Sequence, residues 1–296
     1  METVLVTGSS GFIGGQVVSH LLNLSKSRVV GFDLLPSKHQ SENYSEHQNH
    51  DDHSINELFE KITPSYVIHC AAQADVTRSM TSPSLDATSN IVLTIKLLEN
   101  LNANTCKKFI YLNSGGATYD PYCPLPFSES SKEGPESFYG LSKLVGERYV
   151  RMFCENSGIP WSSLALSNVY GPVRSTNKGI VSVIYNKLLT AEPITLFGPE
   201  TTRDYIHVQD VVAAIFSAME SSNSGRFNIS TKVETTLMEI YRLISEIMNV
   251  ESVPIIQSKR PGEVSRSFLD NSKAKELLGW KPEYSLWDGL NHALRN

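Results

Sequence analysis

The stretch Thr7-Gly8-Ser9-Ser10-Gly11-Phe12-Ile13-Gly14, TGSSGFIG, follows the apolar run Val4-Leu5-Val6 directly and opens a segment with helical periodicity, Phe12 to Leu24. Strand, glycine turn and helix in that order are what give the glycines meaning. Gly8 permits the tight turn, Gly11 lets backbone approach a pyrophosphate, and Gly14 allows the helix to pack closely on the strand. N–H groups at the helix start, around Phe12 and Ile13, lack a partner inside the helix and suit an anion. Asp33 ends a second apolar run, Val29 to Asp33, about twenty residues beyond the last glycine. A carboxylate there accepts hydrogen bonds from a ribose 2′-hydroxyl and repels a 2′-phosphate, so the expected cofactor is NAD rather than NADP. For Asp51-Asp52, just before the next helical segment, two readings stay open: approach to the adenine, or an ordinary helix N-cap.

Outward from the turn, further β-branched runs at Tyr66 to Cys70, Lys108 to Asn113 and Ser162 to Ser167 alternate with helical patterns at Ser54 to Lys61, Leu85 to Leu101 and Phe138 to Ser157. Most of the runs are apolar without alternation, as strands buried on both faces are. The order predicts an α/β chain with a doubly wound, Rossmann-type parallel sheet. After Gly171-Pro172 the pattern changes to helical segments near Ile180 to Thr190, Val208 to Met219, Leu237 to Met248 and Ser272 to Leu278, with short strand-like pieces between. This predicts a cofactor-binding domain over residues 1–172, to which the chain returns around 207–230. A smaller substrate-binding α/β domain takes 173–206 and 231–296.

At 296 residues and 40% hydrophobic content, the chain can bury a core without disulfide staples. Its net charge of −5 lacks the basic excess of proteins held to nucleic acid or anionic lipid by charge. Apolar runs such as Val211 to Phe216 fall far short of the roughly 18 residues of a membrane span, and no charged leader precedes an apolar segment at the start. The chain is therefore expected to begin at Met1 and to act in the cytoplasm, without nucleic-acid or membrane partners. Cys70, Cys106, Cys123 and Cys154 form no CxxC pair and are read as packing residues in a reducing compartment. Residues Pro36 to His53 are polar and hold His39, His47, His50 and His53. A metal-binding tract is one reading; a surface connection around one weak strand is favoured, because no helical spacing with a carboxylate supports a metal, and none is expected.

The segment YGLSK places Tyr139 and Lys143 four apart on one helical face. A tyrosine ordinarily titrates near 10, so poising it near neutrality requires about 4 kcal/mol of preferential phenolate stabilisation. One cation in a dry site, with a second from an oxidised nicotinamide, is expected to supply it and make Tyr139 a general base.

With TGSSGFIG, Asp33, HCAAQADV (His69 to Val76), Asn90, SGGATY, YGLSK, SNVYGP (Ser167 to Pro172), TRDYIHVQDVV (Thr202 to Val212), RPGEVSRSFLD (Arg260 to Asp270) and ELLGWKP (Glu276 to Pro282) in order, the chain resembles the extended short-chain dehydrogenase/reductase family nearly end to end. Within it the chain is similar to the nucleotide-sugar epimerases typified by UDP-glucose 4-epimerase. The resemblance implies a cycle in which the phenolate takes the sugar 4-hydroxyl proton and hydride passes to NAD. The 4-keto sugar then turns over and hydride returns to its other face. It implies Ala71, Ala72 and Asn90 beside the cofactor, Lys143 on the nicotinamide ribose, and Asn168, Arg203 and Arg260 on the diphosphate of a UDP-sugar. Arg174 and Arg266 add local positive charge, Thr195 and Phe197 flank the uracil, and the family forms homodimers. For Arg203 and Arg260 a surface salt bridge is the plain alternative.

Three residues depart from the family pattern. Gly115 stands where many members carry a catalytic Ser or Thr, which leaves Ser114 and Thr118 as the local hydroxyls, Ser114 ranked first. Asp120 replaces a glycine after Tyr119. Ser267 replaces a bulky Tyr and is read either as room for a 2-acetamido group or as a small packing residue. The loop Gly115-Gly116-Ala117 has no acid, against sugar dehydratases and decarboxylases. A nucleotide-linked 4-ketosugar reductase and a non-catalytic dinucleotide-sensing regulator remain the competing readings.

Overall fold

The computed structural model describes residues 1–48, 51–173, 179–260 and 264–295. Fourteen strands follow in chain order: β1 (Glu2–Thr7), β2 (Ser27–Phe32), β3 (Tyr44–His47), β4 (Tyr66–His69), β5 (Lys108–Ser114), β6 (Trp161–Leu166), β7 (Asn168–Tyr170), β8 (Thr195–Phe197), β9 (Thr202–Arg203), β10 (Tyr205–His207), β11 (Gly225–Ile229), β12 (Thr235–Thr236), β13 (Ile255–Gln257) and β14 (Arg266–Ser267). Seven of them form one parallel sheet in the order β11-β6-β5-β4-β1-β2-β3. Because β1 pairs with both β2 and β4, the winding direction reverses beside it. The crevice that this reversal opens at the carboxyl ends of β1 and β4 is where ligands bind in such sheets.

The first seven helices are α1 (Phe12–Leu24), α2 (Asp52–Ile62), α3 (Val76–Thr81), α4 (Pro83–Ala87), α5 (Leu93–Glu99), α6 (Gly115–Thr118) and α7 (Phe138–Ser157). They are followed by α8 (Ile180–Leu189), α9 (Val208–Glu220), α10 (Leu237–Met248), α11 (Ser272–Leu278) and α12 (Leu286–Arg295). Alternate strand residues serve opposite faces. Val4 and Val6 meet Val17, Val18 and Leu21 of α1 and Val211, Val212 and Ile215 of α9. Leu5, Val30 and Phe32 meet Ile55 and Phe59 of α2, Leu97 and Leu98 of α5, and Val150 of α7. A third core gathers Ile184 and Leu188 of α8, Ile240 and Ile244 of α10 and Leu290 of α12 around Leu196. No helix among the described residues is long and apolar enough to cross a membrane.

The predicted helix from Leu85 to Leu101 is interrupted. A wide π-type turn, Thr88–Val92, separates α4 from α5 where Asn90 turns inward, and the Thr94 hydroxyl takes the Asn90 carbonyl at 2.7 Å. The short helix α3 was not foreseen. Tyr44–His47 is the weak strand expected within the polar connection. Among the described residues no group of three His, Cys, Asp or Glu could hold a metal. His47 instead bonds Ser54 and His53 meets Glu57, while His50 lies outside the described residues.

One buried ionic cluster ties the elements behind the site. Glu147 on α7 takes Arg226 of β11 through both oxygens, at 2.5 to 2.9 Å, and accepts from Asn113 and Ser163. Arg226 also donates to Glu133. Arg226→Met strands the Glu147 charge and is expected to lower the unfolding free energy by about 3–5 kcal/mol. Urea denaturation measures this; a loss within the ~0–1 kcal/mol of exposed pairs would show the cluster to be solvated.

Candidate active site

At the turn after β1 three backbone segments meet with no room for side chains. Gly8 holds φ +67°, and a Cβ on it would stand 2.7 Å from the Ala71 nitrogen. A Cβ on Gly14 would lie 2.0 Å from the Gly8 carbonyl oxygen, so the close packing expected of Gly14 falls on the turn itself. Gly11 caps α1 without a side-chain hydrogen bond. Phe12 turns its ring towards Gly171 and Ile13 joins the core beneath, which leaves their backbone N–H groups as their contribution to an anion. Asp33 accepts from the Ser10 and Leu35 backbone N–H groups at 2.9 and 3.0 Å, one on each oxygen, and each oxygen retains a further lone pair. Ala71 donates its N–H to Thr7 Oγ1 at 3.1 Å; Ala72 is exposed beside it. Asp51 is the N-cap of α2, accepting from the Ser54 N–H at 2.8 Å, and the side chain of Asp52 lies outside the described residues. This glycine cradle with an acid at the end of β2 fits a dinucleotide.

Asn90 is fully buried and accepts the Gln73 N–H at 2.8 Å. Its Nδ2 stands within 3.0 Å of the Gln73 carbonyl and of Ser142 Oγ. It thus joins the loop after β4 to the helix carrying the acid–base pair.

Ser137 caps α7 by accepting the Gly140 N–H, which starts the helix just before Tyr139. Tyr139 is half-buried, and packing around the phenol pushes it above its usual range. The Ser114 side chain opposes that shift, and the Asp86 carboxylate adds to it. Lys143 is buried and pulled down to about 7 by desolvation, against the fields of Cys70, Asp86 and Glu147. Its Nζ sits 4.1 Å over the Tyr111 ring. Burial thus weakens the ammonium that is expected to depress the phenol, while the Ser114 side chain favours the phenolate.

The loop after β5 explains its own departures. A Cβ on Gly115 would meet Leu269 Cδ1 at 2.4 Å, so a hydroxyl residue there requires Leu269 to shift. Thr118 is wholly buried and donates to the Ser114 carbonyl at 2.8 Å, which commits its hydroxyl and leaves Ser114 as the local hydroxyl acting on Tyr139. Asp120 pairs with Lys132 at 2.8 Å and accepts the Tyr122 N–H at 3.0 Å, closing a turn without glycine.

Short strands assemble the opposite wall. Asn168, exposed on β7, donates its N–H to the Asp204 carbonyl. Pairing of β14 with β9 sets Ser267 beside Arg203, whose Nη1 donates to the Thr202 carbonyl at 2.7 Å. Ser267 is 5% exposed and its Oγ would be 3.7 Å from a Cβ on Gly116. The Arg260 guanidinium lies 4.4 Å over the Phe197 ring, beside Thr195 on the same strand. Arg266 makes a bidentate pair with Glu234 at 2.7 and 2.6 Å, so its expected part in local positive charge is corrected: Glu234 takes it. Arg174 lies outside the described residues. Reading the sequence missed Asp86 and Ser142. The four-residue spacing of Asp86 and Asn90, which puts both on one helical face, was the available signal.

A sequence profile of the NAD dependent epimerase/dehydratase family matches residues 4–230. The UDP-glucose 4-epimerase of Mycolicibacterium smegmatis is 35% identical, covering 97% of this chain and 95% of its own. Among solved structures, UDP-glucose 4-epimerase of Thermotoga maritima with UDP-glucose superposes with TM-score 0.93 at 35% identity, over 99% of this chain and 97% of that one. The UDP-glucose 4-epimerase of Thermus thermophilus in complex with NAD gives TM-score 0.88 at 29% identity, over 99% and 98%.

Gly115→Ser forces Leu269 aside and is expected to cost about 1–3 kcal/mol, as overpacking does. Leu269→Ala should relieve part of that cost in a double-mutant cycle followed by chemical denaturation. Strict additivity would show that the two positions do not touch.

Proposed function

The chain belongs to the NAD-dependent epimerase/dehydratase family, and from that premise we propose that it inverts C4 of a UDP-hexose through a transient 4-keto sugar. The observation that carries this reading is Tyr139, one turn from buried Lys143 on α7, in a helix start packed against the loop Gly115-Gly116-Ala117, which has no acid to drive elimination. When bound, oxidised nicotinamide supplies the hydride acceptor and a fixed positive charge. Tyr139 takes the 4-hydroxyl proton and later returns it. Ser114 steadies the phenolate and the 4-oxygen, and Lys143 holds the nicotinamide ribose while contributing its charge. Gly8, Gly11, Gly14, Asp33, Ala71 and Ala72 frame the dinucleotide. Arg203 and Arg260 neutralise the diphosphate with Asn168 beside them, and Phe197 and Thr195 border the uracil; guanidinium is well suited to such bidentate work.

Residues 1–172 with 207–230 serve the cofactor in this reading, and 173–206 with 231–296 the sugar nucleotide. The small pair Ser267 and Gly116 leaves space at C2, which favours UDP-GlcNAc and UDP-GalNAc as substrates alongside UDP-Glc and UDP-Gal. Phe138, Leu141, Tyr149 and Met152 expose apolar surface along α7, and a second copy of the chain is the proposed cover. The four free cysteines suit the cytoplasm.

Purified protein given no added cofactor should interconvert the C4 epimers and release NAD on denaturation. A ketosugar reductase would instead consume added reduced dinucleotide, and a regulator would do neither. Tyr139→Phe should retain NAD while turnover falls about 10²–10⁴-fold, as loss of general acid–base catalysis does; near-normal turnover contradicts its role. Ser267→Tyr should abolish turnover of the acetamido sugars while sparing the plain hexoses, and a wild type active on plain hexoses alone would remove the C2 reading.

A further inference from the structure

Asp86, on α4, is 1% exposed, yet only one of its carboxylate oxygens is used. Oδ1 accepts from Gln73 Nε2 at 3.0 Å and from Asn90 Nδ2 at 3.2 Å, while buried Oδ2 has no hydrogen-bond partner. An unmatched buried carboxylate oxygen is costly, so its retention calls for a reason. From Asn90 the contacts continue to the reacting groups: Asn90 Nδ2 reaches Ser142 Oγ at 3.0 Å, and Ser142 Oγ donates to the Tyr139 carbonyl at 3.0 Å.

The other titratable groups facing Tyr139 and Lys143 offer little free negative charge. Glu147 on α7 is neutralised by bidentate Arg226. On β4 and at its end, burial keeps His69 neutral, lowering it to about 3, and keeps Cys70 a thiol, raising it to about 12. Burial holds Tyr111 on β5 well above its ordinary range. Among the described residues, no ion pair engages Asp86.

We propose that Asp86 is a positioning residue, the buried counter-charge of the Tyr139–Lys143 pair, fixed by Gln73 and Asn90 and coupled through Ser142 to the turn that carries Tyr139. The proposal rests on Tyr139 acting as the base. A negative charge there favours ammonium over amine at Lys143 and phenol over phenolate at Tyr139. Asp86 thus keeps the cation that burial would otherwise discharge, and in exchange makes the base harder to form.

Asp86→Asn retains an oxygen for Gln73 and Asn90 and removes the charge. Both limbs of the pH profile of kcat/KM should then move to lower pH by roughly one unit. Asp86→Glu, which restores the charge, should leave the limbs in place whatever happens to the height. Asp86→Ser serves as the neutral variant if asparagine folds poorly. The same shift should appear without turnover, in the 295 nm absorbance titration of Tyr139 taken as the difference from a Tyr139→Phe background. Limbs and titration both unmoved in the neutral variants overturn the proposal. A protein lacking epimerase activity, in which the Tyr139 titration still moves, would overturn the assigned reaction and leave the counter-charge standing.

Discussion

Taking an acid and an ammonium out of water at the carboxyl edge of a parallel sheet imposes opposite demands on them. Burial pushes the Tyr139 phenol up and pulls Lys143 down to about 7, so desolvation alone favours the uncharged pair. Proton abstraction near neutral pH needs the charged one. The surroundings act against desolvation: the Ser114 side chain favours the phenolate, and Asp86 favours the ammonium. The same exclusion of water strengthens each of these interactions, which is why a few groups in a dry site can suffice.

How the site keeps its geometry follows from one hydrogen-bond sequence through the sheet. The Ala71 N–H donates to Thr7 Oγ1, which meets His69 Nδ1 at 2.7 Å; His69 Nε2 meets Thr94 Oγ1 at 2.9 Å, and Thr94 donates to the Asn90 carbonyl. Since Thr94 spends its proton on Asn90, it accepts from His69, which fixes the ring proton on Nε2 and makes Nδ1 the acceptor from Thr7. Every side chain in this hydrogen-bond sequence, from Thr7 through His69 and Thr94 to Asn90, has its partner. The glycine cradle and the Asn90 turn are thereby held in one frame, and Asn90 passes that frame to Ser142 and Tyr139.

Parts of this were legible in the sequence because residue identity alone carries the constraint. Only glycine tolerates the contact of Gly14 with the Gly8 carbonyl, and uniform apolar runs mark strands covered on both sides. Other parts depend on partners distant in sequence. Gly115 reads as a missing hydroxyl until Leu269 is seen filling its space, and Arg266 reads as available until Glu234 is found across the strands. Helical periodicity runs unbroken through Asn90, so the π-type turn leaves no trace in the pattern. At Tyr139, spacing shows that Lys143 is near but not how far burial weakens it.

The central claim is that C4 is oxidised and re-reduced on the opposite face while the sugar stays in the site. Incubation with UDP-glucose carrying deuterium at C4, followed by NMR of both epimers, tests it directly. The account predicts UDP-galactose with the deuterium retained at C4 and none lost to water. Label appearing at another carbon, or epimerisation with deuterium washed out to solvent, would contradict it.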